Sequence, residues 1–541
     1  MSFLSTMMHT PLGVATLYDY GRRHFFSSRV AEYDGNYLVW HTYKDVESLA
    51  GRMASALSAA GLQPGDRVGT FLWNGVTHLA AYLAVPSMGS ILHTVNCRLA
   101  PDQIAYIINH SDDRVVLVDG RLEATFAQVL PLIPSVKIIV VEKPEGALAQ
   151  DSRVISLEQF LEGASEEFTW SETPEEQAAG ICYTSGTTGN PKGVVYSQKT
   201  TYLHALASRS VDTFGVHERD TILMLPSMFH ANAWGFPYSG WMSGADMILP
   251  GPYLQVPHLR VMINTCRPTL TALVPTLLGD LLRPQGDESI DLSSFRAIIC
   301  GGSAVPSSMI EACASRWQVA VIQGWGMTET SPMCVLSHPP KDLGGCPEID
   351  WRMKSGRPVP GIEVRVVDDE DQPLSHDGQA LGELQLRGSW VTGEYLGIES
   401  DSFTSDGWLR TGDIGHIEPR GYVQLTDRKK DVIKSGGEWI SSVDLEDALL
   451  QHPDVEEVAV IAIPDDRWQE RPLAIIVPGV GTELDPKALR VFLSDKVARF
   501  WLPDYWYMAT EISKTSVGKL DKKKLRDDYS KGVIVPMRVN D

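Results

Sequence analysis

Cysteine is scarce and scattered in this sequence of 541 residues. The seven (Cys97, Cys182, Cys266, Cys300, Cys313, Cys334 and Cys346) are odd in number and never form a C-x-x-C pair. Neither a disulfide framework nor a thiolate zinc site is indicated, so a reducing compartment is expected. Positive charge is also in short supply: Lys and Arg total 47 against 68 Asp and Glu, a formal net charge of −21. That balance argues against a nucleic-acid surface, which needs clustered cations in excess, and leaves anionic ligands to be met by local groups. No uncharged apolar run reaches the roughly 20 residues that span a bilayer. The first cation is Arg22, too late for the basic start of a secretory signal. A cytoplasmic protein without a transmembrane segment is expected, with loose surface association left open.

What the chain does have is an ordinary globular composition, 43% hydrophobic and 21% charged, and enough length for about three to four structural units at roughly 150 residues each. Residues 42–62 read as an amphipathic helix: Val46, Leu49, Ala50, Met53 and Leu57 recur at helical spacing, Thr42 can cap, and Gly61 follows. Short apolar or β-branched runs at 67–73, 115–119, 137–142, 271–274, 297–300 and 319–323 alternate with helical-period segments, the pattern of buried parallel strands in an α/β protein. A boundary is expected at the charged run 427–431, between a strand-like 422–425 and the turn at Gly436 and Gly437. Locally that run reads equally well as a solvated turn. Beyond it a small α+β unit is predicted, with helices near 443–450 and 486–498, strands at 458–463 and 474–477, and a Lys-rich tail.

The strongest chemical signal is residues 183–193, Y-T-S-G-T-T-G-N-P-K-G. Three glycines permit close backbone approach, hydroxyls and backbone N–H groups can ring phosphate oxygens, and Lys192 supplies a mobile positive charge. A P-loop NTPase needs G-x-x-x-x-G-K-[ST]; here Pro191 stands where the second glycine belongs and Gly193 follows the lysine. A bare Gly/Thr turn would explain two or three such residues, not eleven in a row.

This loop closely resembles the signature of adenylate-forming (AMP-binding) enzymes, the superfamily of acyl-CoA synthetases, luciferases and peptide-synthetase adenylation domains. Further segments agree in order: G-W-G-M-T-E at 324–329, R-T-G-D at 410–413, D-R-K-K-D-V-I-K-S-G-G-E at 427–438 and K-T-S-V-G-K at 514–519. The resemblance implies an α/β fold, a large N-terminal body of layered sheets and helices (residues 1–427) carrying a small mobile α+β C-terminal domain (428–541). It also implies ATP and coenzyme A as cosubstrates and Mg²⁺ as cofactor.

By the same resemblance, Thr184, Ser185, Gly186, Thr187, Thr188, Gly189 and Lys192 would hold phosphates, with Gly302, Ser303, Gln323, Gly324, Trp325, Gly326, Met327, Thr328, Asp413 and Arg428 around the nucleotide. Glu329 would ligate Mg²⁺ with help from the Thr184 hydroxyl, as suits a hard cation. Asp413 would accept from the ribose hydroxyls, although a turn-capping Asp after Gly412 looks the same locally. His230, Trp234, Gly301, Gly302 and Pro332 would line the acyl pocket. Lys519 would bridge carboxylate and α-phosphate, in a tail that composition alone reads as solvated. Lys434, Ser435, Gly436, Gly437 and Trp439 would meet CoA after rotation about a hinge at Lys430. Catalysis would then rest on Lys519, His230 and Glu329.

The segments 228–235, 324–332 and 431–441 are similar to those of the bacterial group of medium-chain fatty-acid-CoA and 3-methylmercaptopropionate-CoA ligases. A short or medium-chain acid is expected, because a bulky Trp234 would obstruct a deep tunnel; a medium to long-chain acid is the alternative. A homodimer is a family expectation. A peptide-synthetase module, which is normally followed by a carrier domain, is not expected; the alternatives of another class are a luciferase-like oxygenase, which only an assay separates, and a noncatalytic nucleotide-binding protein, which is expected to lose Lys519 or Glu329, both present here.

Overall fold

The computed structural model describes residues 5–146, 148–184, 190–283, 290–435, 438–465, 467–515 and 519–539, and no side chain is described at Glu438 or Trp439. Two large sheets dominate the N-terminal body. The first, among the described residues, has seven strands in the order Val154–Ser156, Ile138–Val141, Asp113–Val118, Arg67–Phe71, Ile91–Thr94, Ala178–Tyr183 and Gly193–Ser197. All of its neighbours run parallel except the last pair. The second, among the same described residues, has nine strands, with Thr221–Leu223, Leu270–Leu273, Ala297–Gly301 and Ala320–Gly326 as a parallel centre. The six runs read from sequence as buried parallel strands all lie in these two sheets, with ends shifted by a few residues.

Helices fill the space between. Phe236–Ser243 is buried at every position and Val76–Ser87 at every position but Thr77, as an apolar helix enclosed between layers must be. Tyr43–Ala59 packs beside them, started by a reciprocal cap in which Asp45 N–H donates to the Thr42 hydroxyl at 3.2 Å and Thr42 N–H to the Asp45 carboxylate at 2.7 Å. One continuous apolar core joins these helices to strands of both sheets. It reaches a third sheet of four antiparallel strands, Ile362–Val367, Gly382–Gly388, Leu409–Ile417 and Val423–Arg428, through Val366, Leu384, Leu409 and Val423.

The C-terminal unit has its own sheet and two cores of its own. Its long hairpin Val455–Asp465 and Gln469–Pro478 extends both predicted strands. Helix Ser442–Leu450 is close to expectation, whereas Pro486–Ser494 stops four residues short of 498. The charged run 427–431 is neither wholly solvated nor a loop: Asp427 and Asp431 are buried, residues 428–430 are exposed, and the strand Val423–Arg428 runs into it. The Lys-rich tail also departs from a solvated end. It forms the helix Lys522–Ser530, and Lys522 is largely buried against Glu446 at 2.8 Å.

Candidate active site

The parallel strands end in bare backbone at one place, as ligand sites of α/β sheets do. Strand Ala178–Tyr183 runs into Thr184, whose hydroxyl accepts from Lys192 N–H at 3.2 Å and whose N–H donates to the Lys192 carbonyl at 2.9 Å, closing the base of the phosphate-loop candidate. Ser185, Gly186, Thr187, Thr188 and Gly189 lie outside the described residues. Strand Ala297–Gly301 ends in Gly301, Gly302 and Ser303, beside strand Ala320–Gly326 with Gly301 opposite Gly324. At Gly302 φ is +93°, and a Cβ there would lie 3.0 Å from Lys519 Cε and 3.5 Å from its Nζ. At Gly326 a Cβ would fall 1.8 Å from the Pro332 carbonyl. Both positions therefore require glycine.

Glu329 sits in the short turn Thr328–Thr330, 6% exposed. The Tyr395 hydroxyl donates to its Oε1 at 2.7 Å, and the Lys192 ammonium stands 4.6 Å from the Tyr395 ring centre while donating to the Ser400 hydroxyl at 3.2 Å. Burial raises the Glu329 pKa, and the Tyr395 hydrogen bond, Arg428 and Lys192 oppose the rise. Tyr395 and Ser400 were not found from sequence; they lie in a loop without a recognisable motif and act through their contacts with Glu329 and Lys192. Among the described residues no group of three His, Cys, Asp or Glu could hold a metal unaided. A Mg²⁺ fits here only in the way that ion is usually bound, by one carboxylate with phosphate oxygens and water.

Asp413 is 2% exposed. Arg428, directly opposite it in the strand pair, reaches Oδ1 through Nε at 2.6 Å, and the Trp325 indole N–H donates to Oδ2 at 2.8 Å. Burial raises the Asp413 pKa against the pull of Arg428 and that hydrogen bond. Asp413 is thus more than a turn cap. Gln323 is held otherwise than a ligand contact: its Oε1 accepts from Val305 N–H at 2.7 Å and its Nε2 donates to the Met353 carbonyl at 3.1 Å, so the side chain braces the strand end.

Lys519 comes into this cleft from the C-terminal unit. Burial lowers its pKa to about 8, the Arg428 charge pushes the same way, and Asp413 opposes. His230 is held neutral near pH 7, its pKa lowered to about 4 by burial and then by the Lys519 and Arg98 charges. After it the chain makes a left-handed turn, with φ of 44°, 51°, 48° and 56° at Ala231, Asn232, Ala233 and Trp234 and 82° at Gly235. Such a run of non-glycine residues is costly and persists only where the surroundings enforce it. Its outcome is to bring the Trp234 ring tip to 3.1 Å from the Cβ position of Gly301.

The CoA-loop candidates are placed differently. Lys434 is exposed, its N–H donating to Glu470 at 2.7 Å, and Ser435 is buried under Arg471, which donates to its hydroxyl at 3.1 Å. Gly436 and Gly437 lie outside the described residues, as does the Trp439 side chain. Lys430 is exposed on the turn joining the body to the C-terminal unit.

A family model described as AMP-binding enzyme matches residues 23–396, and another described as AMP-binding enzyme C-terminal domain matches residues 444–519. The chain belongs to this AMP-binding enzyme family. It is 38% identical over 532 residues to a medium-chain-fatty-acid–CoA ligase of Ectopseudomonas oleovorans, covering 97% of each chain. It is also 38% identical to a 3-methylmercaptopropionyl-CoA ligase of Ruegeria lacuscaerulensis (97% of this chain, 99% of that one) and 44% identical over 508 residues to a long-chain-fatty-acid–CoA ligase of Thermus thermophilus (90% of each). Among solved structures, an anthranilate CoA ligase in complex with anthranoyl-AMP superposes with a TM-score of 0.87 at 25% identity, covering 97% of this chain and 99% of that one.

The two perturbed groups define a pH profile. Glu329 must be ionised to attract a cation, so Tyr395→Phe, which removes an interaction that lowers its pKa, should move the acid limb of kcat/KM for ATP to higher pH. If Lys519 meets an anion it must be protonated, so kcat/KM should fall as pH rises through about 8. Lys519→Arg should shift that base limb upward, because guanidinium stays charged. Unmoved limbs in both variants would take these groups out of the titration.

Proposed function

We propose that the chain is an ATP-dependent acyl-CoA ligase whose adenylation step is performed by the cleft around Lys519. The observation that carries this reading is the buried meeting of Lys519 with Asp413 and Arg428 at the glycine ends of the parallel strands. In the first step a carboxylate oxygen attacks the α-phosphorus of ATP, and the bond to pyrophosphate breaks. Two anions must approach, so cations placed beforehand contribute most. Lys519 is suited to bridge the acid and the α-phosphate, and Arg428, Thr184 and Lys192 to hold ribose or phosphate oxygens. Asp413 would orient the ribose, and residues 302, 303 and 324–328 would flank the base. Mg²⁺ held by Glu329 and Thr184 would supply charge neutralisation at the phosphates.

In the second step the CoA thiol loses its proton and attacks the acyl carbon, and AMP leaves. That step needs an open path where Lys519 stands. A rotation of a C-terminal domain (428–541) against the body (1–427) about Lys430 would withdraw Lys519 and bring in residues 434–439. Neutral His230 suits a wall between acid and phosphate, since a second buried cation beside Lys519 would be unfavourable.

A short or medium-chain acid such as 3-methylmercaptopropionate is favoured by Trp234 closing on Gly301 and by the two relatives at 38% identity. The Thermus relative supports a medium to long-chain acid as the second reading. A cytoplasmic location accords with the dispersed cysteines, and a homodimer is what the family resemblance suggests.

Glu329→Gln should slow pyrophosphate release about a hundredfold or more at saturating Mg²⁺; activity within about threefold of the parent would remove it from the site. Trp234→Ala should shift kcat/KM toward longer acids by up to roughly 0.8 kcal/mol per accommodated methylene, whereas a uniform loss across a chain-length series marks a plain core residue. Lys519→Ala should abolish acyl-adenylate formation yet leave supplied acyl-adenylate converting with CoA, and Lys430→Pro the reverse. Equal loss of both half-reactions in each variant contradicts the alternation, and light emission in place of thioester would indicate an oxygenase.

A further inference from the structure

Lys519 is carried on a hairpin whose base is closed by the bridge between Lys514 and Leu520, by Asp521 N–H on the Ser513 carbonyl at 2.8 Å, and by Thr515 N–H on the Lys519 carbonyl at 2.7 Å. Directly after that base the chain enters the helix Lys522–Ser530, capped by the Asp521 carboxylate. Its first residue does not face solvent. The Lys522 ammonium lies 2.8 Å from Glu446 and donates to the Ser442 hydroxyl at 2.5 Å, both on helix Ser442–Leu450.

The N-terminus of that helix is in turn fastened to the body. Ser442 donates to the Asp427 carboxylate through its backbone N–H at 2.8 Å and through its hydroxyl, and the Ser441 hydroxyl donates to the Thr426 carbonyl at 3.0 Å. Asp427 belongs to strand Val423–Arg428, whose sheet shares the apolar core of the body, and it is 6% exposed. Its neighbour Arg428 holds Asp413. A further contact ties the same units: Arg283 lies 3.2 Å from Glu456.

We propose that Asp427 and Lys522 are positioning residues for adenylation, forming with Ser442 and Glu446 a buried polar latch that fixes the height of Lys519 over the cleft. Asp427 supplies the fixed acceptor on the body. Lys522 transmits its position to the hairpin three residues upstream, because its ammonium is bound on one side by Glu446 and on the other by the serine that Asp427 holds. If the C-terminal unit turns about residue 430, the contacts among Lys522, Glu446 and Ser442 travel with it and only those to Asp427 break. The latch is then specific to the pose in which Lys519 is in place. This rests on the reading of Lys519 as the adenylating lysine.

The test separates the half-reactions in full-length enzyme. Asp427→Asn keeps the shape and removes the charge, and should cut the kcat of acyl-adenylate formation about tenfold or more, as misplacement of a reacting group does. KM for ATP and the acid should stay within about threefold, and conversion of supplied acyl-adenylate with CoA within about twofold. Lys522→Met should show the same asymmetry, and Lys522→Arg should restore most of the lost rate. Equal loss in both half-reactions, or unchanged adenylation in soluble Asp427→Asn, overturns the latch. If either variant fails to fold, Ser442→Ala, which removes only one hydroxyl, is read by the same criteria. Lys519→Ala run alongside distinguishes the failures: should it retain adenylation, the underlying reading is wrong, and should it lose adenylation while Asp427→Asn does not, only the latch falls.

Discussion

One buried carboxylate between two cations sets the terms for the rest of this site. Asp413 is enclosed, and Arg428 alone nearly satisfies it, with the Trp325 indole taking the other oxygen. Lys519 therefore enters a corner whose negative charge is already engaged, and burial first and the Arg428 charge second lower its pKa; Lys519 and Arg428 together leave a surplus of positive charge around one carboxylate. Such a surplus is unfavourable in a closed interior. A phosphate or carboxylate bound between Lys519 and Arg428, as proposed for adenylation, would make it favourable. A chain of net charge −21 thus carries a local cation excess in the cleft proposed for adenylation.

Holding that corner open is mostly the work of backbone. Gly302 and Gly326 leave no side chain where Lys519 and the Pro332 carbonyl already stand. On the opposite side the strained turn from Ala231 to Gly235 throws Trp234 across to Gly301. The strain is sustained by burial: Phe229, Ala231, Ala233 and Phe236 are all enclosed, so relaxing the turn would expose apolar surface. The place of Trp234 beside Gly301 is in this way fixed by the core.

The layered fold was legible because buried parallel strands are continuous apolar runs, and the chemical motifs because close approach to phosphate restricts residues to glycine, hydroxyl and lysine. Their ends were less legible; helix Pro486–Ser494 stops early because apolar periodicity continues past the point where the chain turns toward Trp501. Tyr395 and Arg471 were invisible for a different reason. Each acts through a tertiary contact, to Glu329 and to Ser435 respectively, and nothing in the local sequence marks it. The Lys-rich tail shows the same limit in reverse. Lys522, Lys523 and Lys524 look alike in sequence, yet only Lys522 finds a buried carboxylate, because it is the first residue of a helix packed on Ser442 and Glu446.

The magnitude of the contacts at Asp427 bears on how an enzyme could alternate between two poses. A hydrogen bond to a charged acceptor contributes on the order of 1.5–3 kcal/mol net, and the contacts at Thr426 and Glu456 contribute less, the last being partly exposed. A total of this order biases a two-state equilibrium strongly while leaving the minor state populated. Apolar contact across the boundary would act differently, since burying several side chains would add energy in proportion to area with no means of release. The two cores of the C-terminal unit are separate from that of the body, and the contacts at Asp427, Thr426 and Glu456 are polar. A joint made of a few charged hydrogen bonds holds Lys519 in register while it is needed, and water can replace each of those bonds when the unit turns away.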